Sequence, residues 1–480
     1  MATTRPEHAQ PRFAPHEGAP ARIGVGAQGA GRPQRKASRD AKKDLLVFAL
    51  IGCIFTYVWR AQDLFGIIAA VKLPILASLA AYGLYAIDSD RRRRLKTIRH
   101  PVTTCVIAIL VLAVASVPTS LYKGLSFGFI KDDLGKTFLL MVILAASIRC
   151  LEDVRRYVAV MVIGGAIYAL YVYLFFEVGP SGRLGSLHYY DANDLGMLLV
   201  CNIPLAVFFA LRARSVLKRI LSVLVIGLYV LVIIKTGSRG AFLGFVGVAA
   251  YVLVAFRTIP ARVRAFAVAA GFGLLLVAAG DGYWEMMRTI LNPTEDYNWS
   301  GNSESGRMEI WKRGVGYMLS RPLTGVGVQA FPVAEGTLSP LAGRQELGLG
   351  LKWSAAHNSF VQIGAELGVF GLVALVLLLF HAYRTATRID PGQRSSRTPS
   401  EAAMLGHALG GSIIGYVICG FFLSQAYAAY MFVTYALIVG LHKVAAVRPV
   451  PGEARLRGGV GAASSPVRPR TMLPAVPGSR

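Results

Sequence analysis

The stretch Lys352-Trp353-Ser354-Ala355-Ala356-His357-Asn358-Ser359-Phe360 joins a long polar segment to a run of apolar residues that continues to Phe380. The polar segment before it, from about Gly280 to Ala356, is the only long one between hydrophobic runs of the chain. A histidine at such a junction is expected to lie at the end of a membrane helix, where the helix meets water. If the polar segment folds as a cap, His357 lies beneath it at the membrane surface.

The composition is that of a membrane protein. Hydrophobic residues make up 54% of the chain and charged residues 16%, and the mean hydropathy is +0.51. A soluble protein of this length would carry more charge. Apolar runs of about 20 residues, which are long enough to cross a bilayer as helices, recur along most of the sequence. We therefore predict an all-α polytopic membrane protein.

Twelve apolar runs are predicted to be transmembrane helices, with one large external segment between the ninth and the tenth. Residues 44–280 would hold helices 1–9, residues 281–356 the external loop or cap, and residues 357–443 helices 10–12. The tails 1–43 and 444–480 are predicted to be disordered, and the first of them lacks the apolar core of a signal peptide. The runs lie at approximately 45–59, 65–87, 101–121, 136–149, 157–178, 193–211, 217–235, 240–256, 263–280, 357–383, 403–423 and 426–443.

The distribution of charge predicts which side each loop faces. The net charge of +25 is concentrated in the tails and in short loops between apolar runs, as Lys and Arg are in cytoplasmic loops. The outer segment 281–356 has seven Lys and Arg against eight Asp and Glu. We therefore predict both termini in the cytoplasm, and this location of the charge argues against nucleic acid as a partner. The basic loops are 88–100, 150–156, 212–218, 257–264 and 384–402.

Neither the cysteines nor the carboxylates suggest a metal or a cofactor. The five cysteines lie in or at the edges of apolar runs and show no metal-like spacing or disulfide pattern. The predicted outer loops contain no Asp-x-Asp motif that would hold a divalent ion through a diphosphate. We therefore expect no metal and no cofactor.

Four stretches that are predicted to face outward carry unusual polar residues. Three of them open helices that run inward, at Asn193-Asp194, Ser238-Arg239 and His357-Asn358. Helix N-termini bind phosphate through their free backbone N–H groups, and arginine adds a bidentate, permanently charged clamp. The expected ligand is a lipid phosphate or diphosphate of the outer leaflet. The stretches are 181–196, 235–244, 303–311 and the His357 stretch.

Arg307 is predicted to lie on a surface helix that ends at Pro322. Its apolar stripe would consist of Met308, Trp311, Val315 and Leu319, which follow each other at i, i+3/i+4 spacing. Arg307 is one turn before Trp311, so both side chains can share a face. Such a helix could rest on the membrane and direct its arginine inward.

Each of these residues also has a purely structural interpretation. Arg239 could be a membrane anchor, Ser238 a helix cap, and Arg307 a salt-bridge partner. The stretch Asp191–Asp194 could be a turn with an N-cap, and His357 an ordinary interfacial histidine. Several tyrosines and tryptophans of the outer segment could stack on sugars or form its core.

Taken together, the motifs resemble the O-antigen ligase and polymerase family of bacterial inner-membrane glycosyltransferases. The resemblance extends from about Ser181 to Gly371, with one departure at Ala192, where the family commonly has proline. Before this part, the first five apolar runs match the family in hydropathy alone, and the two tails do not match it. The motifs are Arg183 with Asp191, Asn193 and Asp194, then Gly237-Ser238-Arg239-Gly240, then Gly306-Arg307 with Trp311, then His357-Asn358-Ser359-Phe360 with Glu366-Leu367-Gly368.

This resemblance implies that the donor is a glycan on undecaprenyl diphosphate, transferred at the periplasmic side without metal or nucleotide sugar. We expect Arg239 and Arg307, with Arg183 and Ser238, to bind the donor diphosphate. His357 would accept the proton of the acceptor hydroxyl. Supporting residues would be Asp191, Asn193, Asp194, Asn358 and Trp311.

The acceptor is open between lipid A-core, for a ligase, and a growing lipid-linked glycan, for a polymerase of O-antigen or exopolysaccharide; a protein acceptor is disfavoured. We favour the ligase slightly. A transporter of lipid-linked sugars is the alternative outside the enzymes, since twelve helices are common among transporters. It is disfavoured because its long loop would be expected inside, between helices six and seven, and because charges within the apolar runs are scarce.

Overall fold

A computed structural model describes residues 44–64, 72–179, 183–185, 189–256, 259–292, 296, 298–300, 303–343, 353–389 and 400–446. The predicted tail 1–43 lies outside the described residues, and so does the tail 444–480 apart from its first three residues. The described chain is helical, with one isolated antiparallel bridge between Val178 and Leu184.

Each of the twelve apolar runs contains an α-helix, and the described residues form five further α-helices in the predicted outer segments. The helices of the first half are α1 (Leu45–Tyr57), α2 (Ala61–Leu64), α3 (Leu73–Ala86), α4 (Pro101–Ser116), α5 (Lys123–Phe129), α6 (Gly135–Ser147), α7 (Leu151–Phe175) and α8 (Ala192–Arg212). Those of the second half are α9 (Val216–Thr236), α10 (Arg239–Ala255), α11 (Ala261–Ala278), α12 (Asp281–Arg288), α13 (Arg307–Ser320), α14 (Phe331–Thr337), α15 (Ser359–Thr387), α16 (Glu401–Gly420) and α17 (Ala429–Ala446).

Seven of the described helices are long and apolar enough to cross a membrane: α7, α8, α9, α11, α15, α16 and α17. The helices α1, α3, α4 and α10 are apolar but shorter. A π-helical turn, Ile130–Leu134, joins α5 to α6, so that this helical segment runs from Lys123 to Ser147. The prediction of an all-α, multi-pass membrane protein is confirmed, whereas the count of twelve spans stays a prediction.

Small residues bring α8, α10 and α16 into close contact at the centre of the bundle. A Cβ atom at Gly244 of α10 would lie 2.3 Å from the Sγ atom of Cys419 in α16. A Cβ atom at Gly196 of α8 would lie 2.6 Å from that of Ala241 in α10. Membrane helices pack through such small residues, because two apolar helices gain little from leaving lipid. The close packing fixes the first turns of α8 and α10, where two of the outward polar stretches lie.

The loops sort into two sets, one at each end of the bundle. At the end that we call the inner face, the carboxylate of Asp44 contacts both Arg93 and Arg149, and Arg212 reaches Glu401 at 3.3 Å. These contacts join loops that the charge pattern predicts to be cytoplasmic. At the opposite end, the outer face, contacts join the segments that are predicted to be external. The alternation of the helices across a membrane stays a prediction.

Helix α15 is interrupted at Gly368, whose φ angle is 72°. The backbone N–H groups of Val326 and Gly327 donate to the carbonyls of Ala365 and Glu366 at 2.8 and 3.0 Å. A turn of the outer segment therefore satisfies the backbone carbonyls that the break leaves without helical partners. Irregular backbone within a membrane protein needs such partners, because lipid offers none. The apolar run 357–383 was predicted to be one continuous helix, and the break is a difference from that prediction.

The described part of the segment 281–356 has a small core of its own, which packs on the first turns of α15. Ile310, Tyr317 and Phe331 belong to this core, and the buried carboxylate of Glu335 pairs with Arg313 at 2.5 Å.

The apolar stripe predicted for α13 includes exposed residues, and its contact with the membrane stays a prediction. Val315 and Leu319 are 40% and 66% exposed, whereas Ile310, Gly314 and Tyr317 are buried. The helix is apolar on both faces, and packing decides between them. A Cβ atom at Gly314 would lie 2.4 Å from Val361 of α15, so only a residue without a side chain allows this face to approach.

Candidate functional site

Five of the polar residues singled out in the sequence line one small cavity at the outer face. Its volume is about 30 Å³. Among its described lining residues three are arginines and none is acidic. Arginines that surround one cavity create a positive potential, which attracts an anion. The five residues are Arg183, Asn193, Ser238, Arg239 and Arg307, and we call this space the arginine cavity.

Arg239 is the first residue of α10, and Ser238 is its N-cap. The hydroxyl of Ser238 accepts a hydrogen bond from the backbone N–H of Ala241 at 3.2 Å, so the structural interpretation as a cap holds. Arg239 pairs with the carboxylate of Asp296 and donates to the hydroxyl of Thr289 at 2.6 Å. The guanidinium is thus held from two sides, with 22% of the side chain exposed.

Arg183 enters the cavity from the segment before α8. Its Nη2 atom donates to Asn193 Oδ1 at 2.9 Å, and its buried Nε atom has no acceptor among the described residues. A buried donor without a partner is costly, and a ligand can supply the missing acceptor. Asn193 follows Asp191, which is the N-cap of α8 and forms a capping box with Asp194. The acidic residues therefore shape the turn, and Asn193 holds the arginine.

Arg307 and Trp311 both contact the loop between α16 and α17, residues 421–428, which we call the outer loop. Arg307 Nη1 donates to the carbonyl of Phe422 at 3.3 Å. The ring of Trp311 packs edge-on against Phe421, with centroids 5.2 Å apart. The prediction that these residues share a face of their helix is consistent with these contacts. Trp311 Nε1 also donates to the carbonyl of Ala356, directly before His357, at 3.0 Å.

His357 lies outside the described lining of the arginine cavity, but it contacts the loop that closes it. Its backbone N–H donates to Ser424 Oγ at 2.8 Å, whereas Phe422 and Leu423 of the same loop line the cavity. His357 has a φ angle of 49°, a left-handed conformation that is uncommon outside glycine. Asn358 is the N-cap of α15 and accepts from the N–H groups of Phe360 and Val361.

Several residues of this site were not singled out in the sequence. Asp296 and Thr289 hold Arg239 although they are more than 45 positions away along the chain. Gln425 of the outer loop donates to Asp194 at 2.8 Å and so joins this loop to α8. No local pattern marks these residues, because each acts through a contact between distant segments.

The aromatic residues of the outer segment divide between core and surface. Phe331 and Tyr283 are buried, whereas Trp353 is half exposed. Trp299 packs on Trp311 and on Phe422 beside the arginine cavity. Tyr297 lies outside the described residues.

Comparison with known protein families agrees with the resemblance seen in the motifs. Residues 224–376 match the family model described as O-antigen ligase, and a comparison with curated proteins found no match. The matched part includes Ser238, Arg239, Arg307 and His357, whereas Arg183 lies before it. Residues 224–376 are therefore similar to an O-antigen ligase domain, the family that the motifs also resemble.

Proposed function

We propose that this protein transfers a glycan from undecaprenyl diphosphate to an acceptor hydroxyl at the periplasmic face of the bacterial inner membrane. We favour lipid A-core as the acceptor, which would make the protein an O-antigen ligase. The observation that carries the proposal is the convergence of Arg183, Arg239 and Arg307 on one cavity beside the N-terminus of α10. These residues come from three separate segments of the chain.

The arginine cavity has the character that a diphosphate leaving group requires. Breaking the bond between sugar and phosphate leaves negative charge on undecaprenyl diphosphate. Fixed cations that act where charge develops are usually the largest catalytic contribution, about 3 kcal/mol for a single donor. Arg239 and Arg307 would supply this contribution, and the free N–H groups at the start of α10 would add to it.

The acceptor hydroxyl is the nucleophile of the transfer. Its oxygen forms a bond to the anomeric carbon of the donor sugar, while the bond from that carbon to the phosphate oxygen breaks and its electron pair stays on the phosphate. The hydroxyl proton passes to the imidazole of His357. The products are the glycosylated acceptor and undecaprenyl diphosphate. Histidine suits this role because its ordinary pKa is near neutrality.

We propose further that all twelve apolar helices cross the membrane, with both termini in the cytoplasm and the segment 281–356 in the periplasm. The separate clustering of predicted inner and outer loops supports this arrangement. Seven of the twelve helices are shorter than the roughly 20 residues that span a bilayer, namely α1, α3, α4, α6, α10, α11 and α17. Flanking turns lengthen some of them, as the segment from Lys123 does for α6.

Deletion of the gene, followed by electrophoresis of lipopolysaccharide and lipid-linked glycans, tests the proposal. We expect core without O-chains, together with long polymer retained on undecaprenyl diphosphate. Complementation with the wild-type gene should restore the O-chains, and complementation with Arg307→Gln should not. Arg288→Gln is the matched control, because Arg288 is an exposed arginine of α12 that does not line the cavity.

The same gels separate the alternatives. Core that bears a single repeat unit would identify a polymerase of O-antigen instead of a ligase. Unchanged lipopolysaccharide with loss of exopolysaccharide would assign the polymerase to that polymer. If every glycan were unchanged in the deletion strain, the proposed transferase activity would be contradicted.

A further inference from the structure

A second and much larger cavity, of about 680 Å³, lies beside the arginine cavity at the outer face. The two cavities share the outer loop as a wall. Phe422 and Leu423 line the arginine cavity, and the next two residues, Ser424 and Gln425, line the larger one. Because the N–H group of His357 donates to Ser424, the start of α15 lies at the boundary between the two spaces.

The larger cavity differs from the arginine cavity in charge. Its described lining contains two cations, Arg60 and Lys136, and two carboxylates, Asp132 and Asp133. Asp63 also pairs with Arg60, so this site has no net positive charge and does not favour an anion. A second diphosphate is therefore not the ligand that this lining favours.

Amide side chains give the larger cavity its polar character. Four glutamines from different segments line it: Gln62, Gln329, Gln362 and Gln425. Each amide offers two donors and an acceptor, which matches the hydroxyl groups of a sugar, since every hydroxyl both donates and accepts. Mixed amides and carboxylates therefore indicate a neutral, polyhydroxylated ligand.

Gln62 shows that the site has an unfilled hydrogen-bonding position. The residue is 8% exposed, and its Nε2 atom donates to the carbonyl of Thr56 at 3.2 Å. No described residue donates to its Oε1 atom. A buried acceptor without a donor is unfavourable, and a hydroxyl of a bound sugar would satisfy it.

Tyr189 adds an aromatic surface to the same wall. The guanidinium of Arg60 lies over its ring, 3.7 Å from the centroid, which orients the ring, and Tyr189 is 54% exposed. Arg60 is itself held by Asp63 at 2.6 Å. An oriented, exposed aromatic ring next to amides and carboxylates is suited to stacking on a sugar.

Left-handed backbone conformations occur at the larger cavity and at its boundary with the arginine cavity. Among the described residues four that are not glycine have φ angles in the left-handed region, namely Arg60, Lys72, Gln329 and His357. Arg60 and Gln329 line the larger cavity, and His357 lies at its boundary with the arginine cavity. Such conformations concentrate at binding and catalytic sites, where the surrounding structure maintains them.

The larger cavity also has an apolar side. Ile75 and Leu79 of α3 line it and are 54% and 64% exposed. Exposed apolar residues on a helix of a membrane protein contact lipid, so the cavity is bordered by both sugar-binding groups and a lipid-facing helix. This combination fits an amphiphile.

We propose that the larger cavity binds the acceptor glycolipid, with its glycan at Gln62 and Tyr189 and its lipid along Ile75 and Leu79. The acceptor hydroxyl would reach the anomeric carbon of the donor past Ser424, at His357. This assignment rests on the proposed glycan transfer, in which the arginine cavity holds the donor diphosphate. Donor and acceptor thus occupy neighbouring spaces, separated by the outer loop.

Steady-state kinetics of purified protein test the assignment, with glycolipids extracted from the deletion strain and separated into lipid-linked donor and core acceptor as the probes. The variants are Gln62→Leu and Tyr189→Ala, with Tyr189→Phe as the conservative replacement. Lys123→Gln on α5 is the control, because Lys123 is exposed and is not among the described lining residues. We expect the KM for the acceptor to rise roughly tenfold in the first two variants, the effect of one lost polar or stacking contact.

The KM for the donor should stay at the wild-type value in every variant, and Tyr189→Phe should behave as the wild type. An unchanged acceptor KM in both Gln62→Leu and Tyr189→Ala would overturn the assignment, as would a rise in the donor KM instead, which would place the donor glycan in this cavity. If Gln62→Leu does not fold, the half-exposed Tyr189 decides alone. Wild-type protein without any transfer activity would contradict the proposed function itself, and the acceptor site with it.

Discussion

The protein places clusters of arginines at both ends of its helix bundle, and the two clusters have different partners. At the inner face, Arg93 is 5% exposed and pairs with the carboxylates of Asp44 and Asp88. At the outer face, Arg183 donates to an amide oxygen and Arg307 to a backbone carbonyl. The inner arginine is neutralised by acidic residues of the protein, whereas these outer contacts are to neutral oxygens.

This difference separates structural arginines from functional ones in a membrane protein that has many of them. A buried arginine between two carboxylates ties segments together, and its loss leaves those carboxylates uncompensated. Arg183, which an amide oxygen holds, is positioned but keeps its net charge, which can then act on a ligand. Arg239 is intermediate, since Asp296 and Thr289 both hold it.

His357 belongs to the outer site but should not be needed to bind the diphosphate. We predict that His357→Ala lowers glycan transfer by about 10²–10⁴-fold, the usual contribution of a general base, while undecaprenyl diphosphate still binds. Transfer is measured with extracted glycolipids and binding with the purified protein. His381→Ala, at the inner part of the same helix, is the control. Undiminished transfer by His357→Ala at normal protein levels would remove the histidine from the mechanism.

Arg93 tests the inner cluster. Arg93→Ala should destabilise the protein by about 3 kcal/mol, because it leaves the carboxylate of Asp88 without its cation and Asp44 with Arg149 alone. The protein level in the membrane and the midpoint of thermal unfolding should fall, while transfer per folded molecule stays unchanged. Arg92→Ala is the matched control: Arg92 pairs with Asp90 but is 53% exposed, so its loss should cost less than about 1 kcal/mol. Equal effects of the two substitutions would contradict the structural role of the inner cluster.

Arg183 tests whether an arginine held by an amide contributes to the outer site. Arg183→Ala should lower transfer roughly tenfold, since one charge-assisted hydrogen bond contributes about 1.5 kcal/mol or more. Asn193→Ala should have a smaller effect of the same kind, because Asn193 positions the guanidinium. In the double variant the losses should not add, as for two residues that act together. Additive losses would mean that Asn193 acts independently of Arg183.

Ser238 should give the smallest effect. Its hydroxyl caps α10, and Ser238→Ala should cost about 1 kcal/mol of stability, measured as a small drop in the unfolding midpoint. Ser238→Thr retains a capping hydroxyl and is the control. A loss of transfer by Ser238→Ala far beyond its loss of folded protein would show that the hydroxyl contacts the donor directly.

Much of this architecture could be predicted from the sequence, because hydropathy and charge act locally. Each apolar run contains a helix. Arg183, Ser238, Arg239 and Arg307 lie together, and all four belong to stretches that were predicted to face outward. What escaped prediction depends on contacts between distant segments. Asp296 beside Arg239 is one example, and the glutamines of the larger cavity are another.

The break in α15 and the face of α13 show the same limit. A run of apolar residues predicts a helix but not the point at which another segment enters, and at Gly368 the backbone of Val326 and Gly327 does so. Both faces of α13 are apolar, and the close approach of Gly314 to α15 selects the buried one. Periodicity alone could not make that choice.

The central claim is that the outer arginines hold the donor diphosphate, and the affinity of the purified protein for undecaprenyl diphosphate tests it most directly. We predict that Arg239→Lys weakens this affinity at least roughly tenfold, because lysine cannot form the bidentate contact of a guanidinium. Arg288→Lys, outside the cavity, should bind as the wild type does. The same affinity in the wild type and in Arg239→Lys would contradict the claim.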